Sequence, residues 1–284
     1  METQRKSNFE LCRLASIFLV MMLHTTHQSL GDDVNLGVRL LEGFSIIGVN
    51  VFILITGYFS AKPKKTSLIN LAFICLFWII VKVICRLYFG QSLSYRYAFF
   101  ITSSNWFIAS YIGLLFFTPV LNLFCDSVSG RTLGSVVISL LFIEMWFDWF
   151  PPHPAVKIGA QNGYSVISFS ILYLLARYIR LYGLPYWFKN ISLWVYVGCS
   201  LILGFTVETG ALVGYNVSHL CYSYINPIVV LSSVAFLMVF EQMHFESRLV
   251  NHIAKSTLAV LLGHSAIFFF TRNSSGSFTT ITLV

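Results

Sequence analysis

Charged residues are scarce in this chain, since only 10% of its 284 residues are Asp, Glu, Lys or Arg. An ordinary soluble domain has about 25%, so the composition excludes a water-soluble globular protein. The chain is instead 57% hydrophobic, with a mean hydropathy of +0.77. These values predict an integral membrane protein.

The sequence also lacks cysteine pairs, phosphate-binding loops and repeats. Its six cysteines are scattered through hydrophobic segments without a Cys-x-x-Cys pair, so neither a metal site nor a disulfide framework is predicted. It has no glycine-rich phosphate loop and no repeat of solenoid length. The formal net charge of +7 does not indicate nucleic-acid binding, because the basic residues lie between hydrophobic segments, as topology determinants do.

The hydrophobic segments predict an all-α, polytopic bundle of about nine to ten transmembrane helices, forming one membrane domain over residues 1–284. Nine helices are expected over 9–28, 43–61, 67–88, 105–124, 132–149, 164–181, 190–208, 226–241 and 257–270. The ninth is shorter than the roughly 20 residues that a span needs, and a polar, Ser/Thr-rich tail follows it. We therefore expect that a final helix of the bundle is missing.

The distribution of Lys and Arg predicts that the N-terminus is cytoplasmic. With this orientation eleven basic residues lie on the cytoplasmic side and five on the opposite side, and Arg13 and Lys82 lie inside spans. This excess obeys the positive-inside rule. The first helix then places Arg13 near the cytoplasmic face and His24 toward the outer half of the membrane.

Arg13 and His24 are eleven residues apart in the first helix. At about 100° per residue they fall on one face, separated by roughly 16 Å along the axis. A charge at the centre of a span costs about 2.5–3.5 kcal/mol, so such a pair indicates function. The alternatives are an arginine that extends to the headgroups and a histidine that packs between helices.

Four stretches in order carry a resemblance to a known family. They are Arg13 to His24, with the Arg-x10-His spacing; Val49 to Lys65, with its Thr-Gly-Tyr-Phe step; Asn105 to Asn122, with Trp-Phe-x3-Tyr and Pro-x-Leu-Asn; and Leu261 to Phe268, with a late histidine. In these stretches the chain resembles the acyltransferase-3 family of bacterial integral membrane acyltransferases, which modify surface glycans. Members of that family usually have a further C-terminal helix.

The resemblance implies transfer of an acyl group, commonly acetyl, from acyl-CoA to a sugar hydroxyl of a cell-surface polysaccharide or exopolysaccharide. It implies a multi-pass protein of the bacterial inner membrane that contacts lipid, acyl-CoA and a glycan or lipid-linked saccharide, with no nucleic acid and no bound cofactor. The donor would be acetyl-CoA. His24 suits the base or the acyl-accepting residue, and Arg13 suits a CoA phosphate.

Further residues are candidates for substrate binding, each with a plainer alternative. Glu144 is a possible partner for a sugar or a histidine, or else a solvated residue. Trp106 and Tyr111 could stack on sugars, or pack at the interface. Lys64 and Lys65 could contact CoA phosphates, or anchor the topology. His264, in the stretch Leu261 to Phe268, is the last candidate for substrate binding.

Two other functions stay open from the sequence. A small transporter or flippase would use Arg13, Lys82, Glu144 and His24 as a pathway through the membrane, although we find no inverted repeat. An inactive, truncated copy of the enzyme is the other alternative, because a final helix is expected to be missing.

Overall fold

The structure is a computed structural model that describes residues 6–29, 35–90, 106–150, 159 and 161–263. Every regular element in these ranges is helical, as the composition predicts. The helices are α1 (Ser7–Ser29), α2 (Leu36–Ser45), α3 (Gly48–Tyr58), α4 (Lys65–Tyr88), α5 (Trp106–Ser127), α6 (Gly130–Trp149), α7 (Val166–Tyr182), α8 (Tyr186–Leu212), α9 (Ser218–Cys221), α10 (Pro227–Glu241), α11 (Arg248–Ile253) and α12 (257–263).

Five segments in the described ranges are long and apolar enough to cross a membrane. They are α2 with α3 (Leu36–Tyr58), α4, α5, α6 and α8. The 15 residues of α10 are apolar but shorter. Residues 264–284 lie outside the described part of the chain, and with them lie His264 and the end of the predicted ninth helix.

The predicted second helix over 43–61 corresponds to one candidate span, Leu36–Tyr58, which begins earlier than expected and has a turn at Ile46 and Ile47 between α2 and α3. The first begins at Leu36, where the Asn35 side chain accepts a hydrogen bond from the Val38 N–H at 3.2 Å. Its Arg39 forms a 2.8 Å ion pair with Glu208 of α8. Glu208, 169 positions later in the sequence, therefore stabilises the start of α2. We expected no helix in this segment because it contains charged residues.

The centre of the bundle is α3, in which every residue from Gly48 to Tyr58 is buried. Two glycines allow neighbouring helices to approach it closely. A Cβ atom on Gly48 would lie 2.8 Å from the Ser16 carbonyl oxygen of α1, and one on Gly57 would lie 2.6 Å from the Tyr173 carbonyl oxygen of α7. Small residues at helix contacts are typical of membrane bundles.

Pro119 lies inside α5 and has no backbone N–H with which to reach the carbonyl of Leu115, four residues earlier. The Thr118 hydroxyl donates a 2.8 Å hydrogen bond to that carbonyl. Neighbouring Ser and Thr side chains commonly satisfy backbone groups that proline frees in membrane helices. The helix therefore continues to Ser127.

Side-chain contacts group the helix termini into two ends of the bundle. At one end the Asn8 amide donates to the Phe240 carbonyl oxygen at 3.0 Å, and the Ser247 N–H donates to the Ser7 hydroxyl at 2.9 Å. We call this the basic end; it includes the starts of α1, α4, α6 and α8 and the ends of α3, α5, α7 and α10.

The other termini form the opposite end, which includes the ends of α6 and α8 and the starts of α5, α7 and α10. There the Tyr222 hydroxyl donates to the Arg39 carbonyl oxygen at 2.7 Å, and the Ser223 hydroxyl donates to an Asp148 carboxylate oxygen at 2.9 Å. Helix α3 runs between the two ends, since the amide of Asn50 donates to the Tyr224 carbonyl oxygen at 2.7 Å.

Candidate functional site

A polar cavity of about 230 Å³ lies between α1, α3, α5 and the segment that leads into α12. Arg13 of α1 and Tyr111 of α5 both line it, so the structure brings together two residues that the sequence singled out separately. Thr56 of α3 and Lys255 add polar groups. The rest of the lining is Phe52, Ala254, Thr257 and Leu258. We call this space the Arg13 cavity.

Arg13 is held at the cavity by a carboxylate of its own helix. Its guanidinium lies 2.7 Å from a carboxylate oxygen of Glu10, one turn earlier, and the Glu10 side chain is 6% exposed against 28% for Arg13. An ion pair of this kind partly offsets the charge of a cation on a largely apolar helix. The more exposed arginine keeps donors for a ligand, because a guanidinium has five N–H groups.

The two threonines of the cavity already donate their hydroxyl protons to backbone carbonyls. Thr56 donates to Phe52 at 3.0 Å, and Thr257 donates to Ala254 at 2.9 Å. Each hydroxyl can therefore serve a ligand mainly as an acceptor. The strong donors around the cavity are the two cations, Arg13 and Lys255.

Lys255 was not among the residues that the sequence singled out. It lies in a short helical turn between α11 and α12, and its side chain is exposed and makes no hydrogen bond or ion pair with the described residues. The sequence presented it only as one more basic residue between two hydrophobic segments. Nothing local indicates that this loop returns to Arg13, more than 240 positions earlier.

His24 is half-buried and lies on α1, which is unbroken from Ser7 to Ser29. The eleven-residue separation from Arg13 along one continuous helix therefore holds, with roughly 16 Å of axial rise. His24 is not among the residues that line the Arg13 cavity. The structure thus places the cation and the imidazole on one helix but at different depths.

Tyr111 of α5 lines the Arg13 cavity. Its ring stacks on Phe107 with centroids 5.7 Å apart and planes 10° apart. Lys64 and Lys65 lie at the basic end, where Lys65 begins α4, and both side chains are exposed. Neither lysine is among the residues that line the cavity.

Glu144 lies on α6, where it is 2% exposed. It accepts a short hydrogen bond from the Ser168 hydroxyl of α7, and that hydroxyl also lies 2.9 Å from the hydroxyl of Ser165, which caps α7. The carboxyl group is thus buried within a hydroxyl network. Asp148, four residues later on α6, accepts a 2.9 Å hydrogen bond from the Ser223 hydroxyl at the opposite end.

Trp106 begins α5 and belongs to an aromatic cluster at the opposite end. Its ring centroid lies 4.4 Å from that of Tyr164 and 5.8 Å from that of Tyr224. Burial raises the pKa of Tyr224, so this phenol keeps its proton and the cluster stays neutral. Trp106 thus belongs to the aromatic cluster, whereas Tyr111, five residues later on α5, lines the Arg13 cavity.

The chain matches no protein-family model, no curated protein and no solved structure in the three comparisons made.

Proposed function

We propose that the chain is a membrane-bound O-acyltransferase that moves an acyl group, most simply acetyl, from acyl-CoA to a sugar hydroxyl of a cell-surface polysaccharide or exopolysaccharide. The proposal includes a multi-pass bundle of nine to ten spans in the bacterial inner membrane, with the basic end cytoplasmic. The resemblance to the acyltransferase-3 family motivates it. No cofactor is required beyond the acyl-CoA donor.

The observation that supports the proposal most is the arrangement of α1. Arg13, in the second turn of α1 from the basic end, lines a polar cavity, and His24 follows deeper on the same unbroken helix. An arginine near the cytoplasm can hold a phosphate of the donor. An extended pantetheine arm can then place the thioester near the imidazole.

The reaction needs one proton acceptor. The sugar hydroxyl attacks the thioester carbonyl while His24 takes its proton; the carbon–sulfur bond breaks, and the departing thiolate takes the proton back from the imidazolium. The products are the O-acyl sugar and free CoA. Glu144 and Trp106, with a carboxyl group and an aromatic face, are proposed to bind the sugar.

The test uses membranes that contain the full chain, radiolabelled acetyl-CoA and the host's surface glycan. We expect label on the glycan with the wild-type protein and at least a 100-fold loss with His24→Ala, because general base catalysis contributes about 10²–10⁴-fold. The variant must insert to the same level, as measured by membrane-fraction immunoblot. Unchanged labelling in His24→Ala would refute the assigned role.

The transporter alternative gives a different result in the same membranes. A transporter would leave no label on the glycan but would move substrate into sealed vesicles. Uptake without acyl transfer would replace the enzyme proposal, whereas neither activity would favour an inactive copy.

A further inference from the structure

The Arg13 cavity is too small to hold a whole nucleotide donor. Pockets that enclose complete small ligands have volumes of about 300–1,000 Å³, whereas this cavity has about 230 Å³. It fits one group of a larger ligand. The chemistry of its lining then indicates which group.

The strong donors of the cavity are cationic and come from opposite ends of the chain. Arg13 has a counter-charge in Glu10, 2.7 Å away. Lys255 lines the same cavity and is exposed, and it has no hydrogen-bond or ion-pair partner among the described residues. A fork-shaped guanidinium beside a flexible ammonium is a combination that suits phosphate oxygens.

We propose that Arg13 and Lys255 together form a phosphate-binding site, in which Lys255 supplies the charge that Glu10 does not offset. The proposal deepens the proposed function and rests on it only for the origin of the phosphate. That phosphate belongs either to the nucleotide part of the acyl donor or to the diphosphate of a lipid-linked saccharide. In either case Lys255 is a binding residue that its sequence context does not indicate.

The Tyr111 hydroxyl agrees with an anionic ligand, because it makes no hydrogen bond with the described residues and can donate to a phosphate oxygen. The hydroxyls of Thr56 and Thr257 already donate to backbone carbonyls, so they are not available as donors to the ligand. Among the residues that line the cavity, none is acidic. The Glu10 carboxylate, which pairs with Arg13 at 2.7 Å, is not among the lining residues.

The experiment measures binding to the purified full chain in detergent micelles by isothermal titration calorimetry. The probes are coenzyme A, adenosine 3′,5′-bisphosphate, geranyl diphosphate and pantetheine, which has no phosphate. We expect the wild-type protein to bind at least one phosphate-bearing probe with an affinity that falls as salt rises. Lys255→Gln should weaken that binding about tenfold or more, because a charge-assisted hydrogen bond is lost.

The matched control is Lys6→Gln, which removes an exposed lysine at the same end without touching the cavity. It should leave every affinity unchanged, and Lys255→Arg should retain most of the binding. Equal affinities in Lys255→Gln and wild type would overturn the inference. So would the absence of binding by all three phosphate-bearing probes.

The pattern of probes separates the two sources. Binding of coenzyme A and the bisphosphate supports a nucleotide phosphate. Binding of geranyl diphosphate alone supports a lipid diphosphate, and it would keep the phosphate site while contradicting the donor position in the proposed function. A wild-type protein that binds phosphate through Lys255 but transfers no acetyl group would refute the proposed function alone.

Discussion

The two ends of the bundle differ in the partners of their carboxyl groups. At the basic end cations and carboxylates pair directly, as Arg177 does with Asp126 at 2.9 Å and Lys189 with Glu241 at 3.1 Å. At the opposite end the carboxyl groups of Glu144 and Asp148 contact serine hydroxyls instead. Among the described residues of that end, Arg39 and Glu208 also form a direct ion pair.

The difference matches two kinds of ligand. Excess cations and a polar cavity suit an anion such as a phosphate. Carboxyl groups and a neutral aromatic cluster suit an uncharged, hydroxyl-rich ligand, because carboxylates accept hydrogen bonds from hydroxyl groups and aromatic rings pack on apolar faces. The proposed division places the acyl donor at the basic end and the sugar at the opposite end.

The largest expected effect comes from displacing α3, which connects the two ends. In Gly57→Val the new side chain meets the Tyr173 backbone, whose carbonyl oxygen would lie 2.6 Å from the Cβ atom. Overpacking usually costs about 1–3 kcal/mol, and a clash with backbone should reach or exceed the upper figure. The measurement is the thermal midpoint of the purified protein in detergent.

Gly198→Val on α8 is the control, because an added Cβ there meets nothing within 4 Å. It should keep the wild-type midpoint. Equal destabilisation by both valines would show that the close approach of α3 to α7 is not what joins the two ends.

A smaller effect is expected from the polar network of the basic end. Asn122 of α5 accepts hydrogen bonds from Tyr173 at 2.7 Å and from Ser60 at 2.9 Å. Asn122→Ala leaves the fully buried Tyr173 hydroxyl without this acceptor, which should cost about 1–3 kcal/mol. Thermal unfolding of the single variants and of Asn122→Ala/Tyr173→Phe measures the coupling.

The double variant also lacks the Tyr173 hydroxyl, which has no acceptor in Asn122→Ala. We therefore expect the double variant to lose less stability than the sum of the two single variants. A double variant whose loss equals the sum of the two single losses would mean that this hydrogen bond does not stabilise the basic end.

The smallest effect compares one helix cap from each end. Ser129 caps α6 at the basic end and is exposed, whereas Ser165 caps α7 at the opposite end, is buried and also contacts Ser168. Loss of a serine cap costs about 0.5–2 kcal/mol. We expect Ser129→Ala near the lower figure and Ser165→Ala near the upper one, measured by thermal unfolding. The reverse order would argue against a hydroxyl network that supports Glu144.

The sequence predicted the helices far better than the contacts between them. Hydrophobic length is a local property, so the long segments α4, α5, α6 and α8 appear within a few residues of their expected bounds. The start of α2 was missed because the ion pair between Arg39 and Glu208 is a tertiary contact. No local pattern contains it.

For the candidate site, too, the sequence predicted the features within one helix but not the contacts between helices. The spacing of Arg13 and His24 follows from one helix, and the chemistry of each residue is visible in the sequence. That Arg13 meets Tyr111 and Lys255 in one cavity depends on how α1, α5 and the segment before α12 pack. Lys255 in particular looks like any other topology-determining lysine until the chain is folded.

The proposed division places the acyl donor at the basic end and the sugar at the opposite end. It is tested most directly by steady-state acetyl transfer in proteoliposomes, with the KM of each substrate measured separately. We predict that Arg13→Gln raises the KM for acetyl-CoA about tenfold and leaves the KM for the glycan unchanged, because it removes a charged donor from the Arg13 cavity. Glu144→Gln should raise only the KM for the glycan. A rise of both values in both variants, or an exchange of the two effects, would contradict the account.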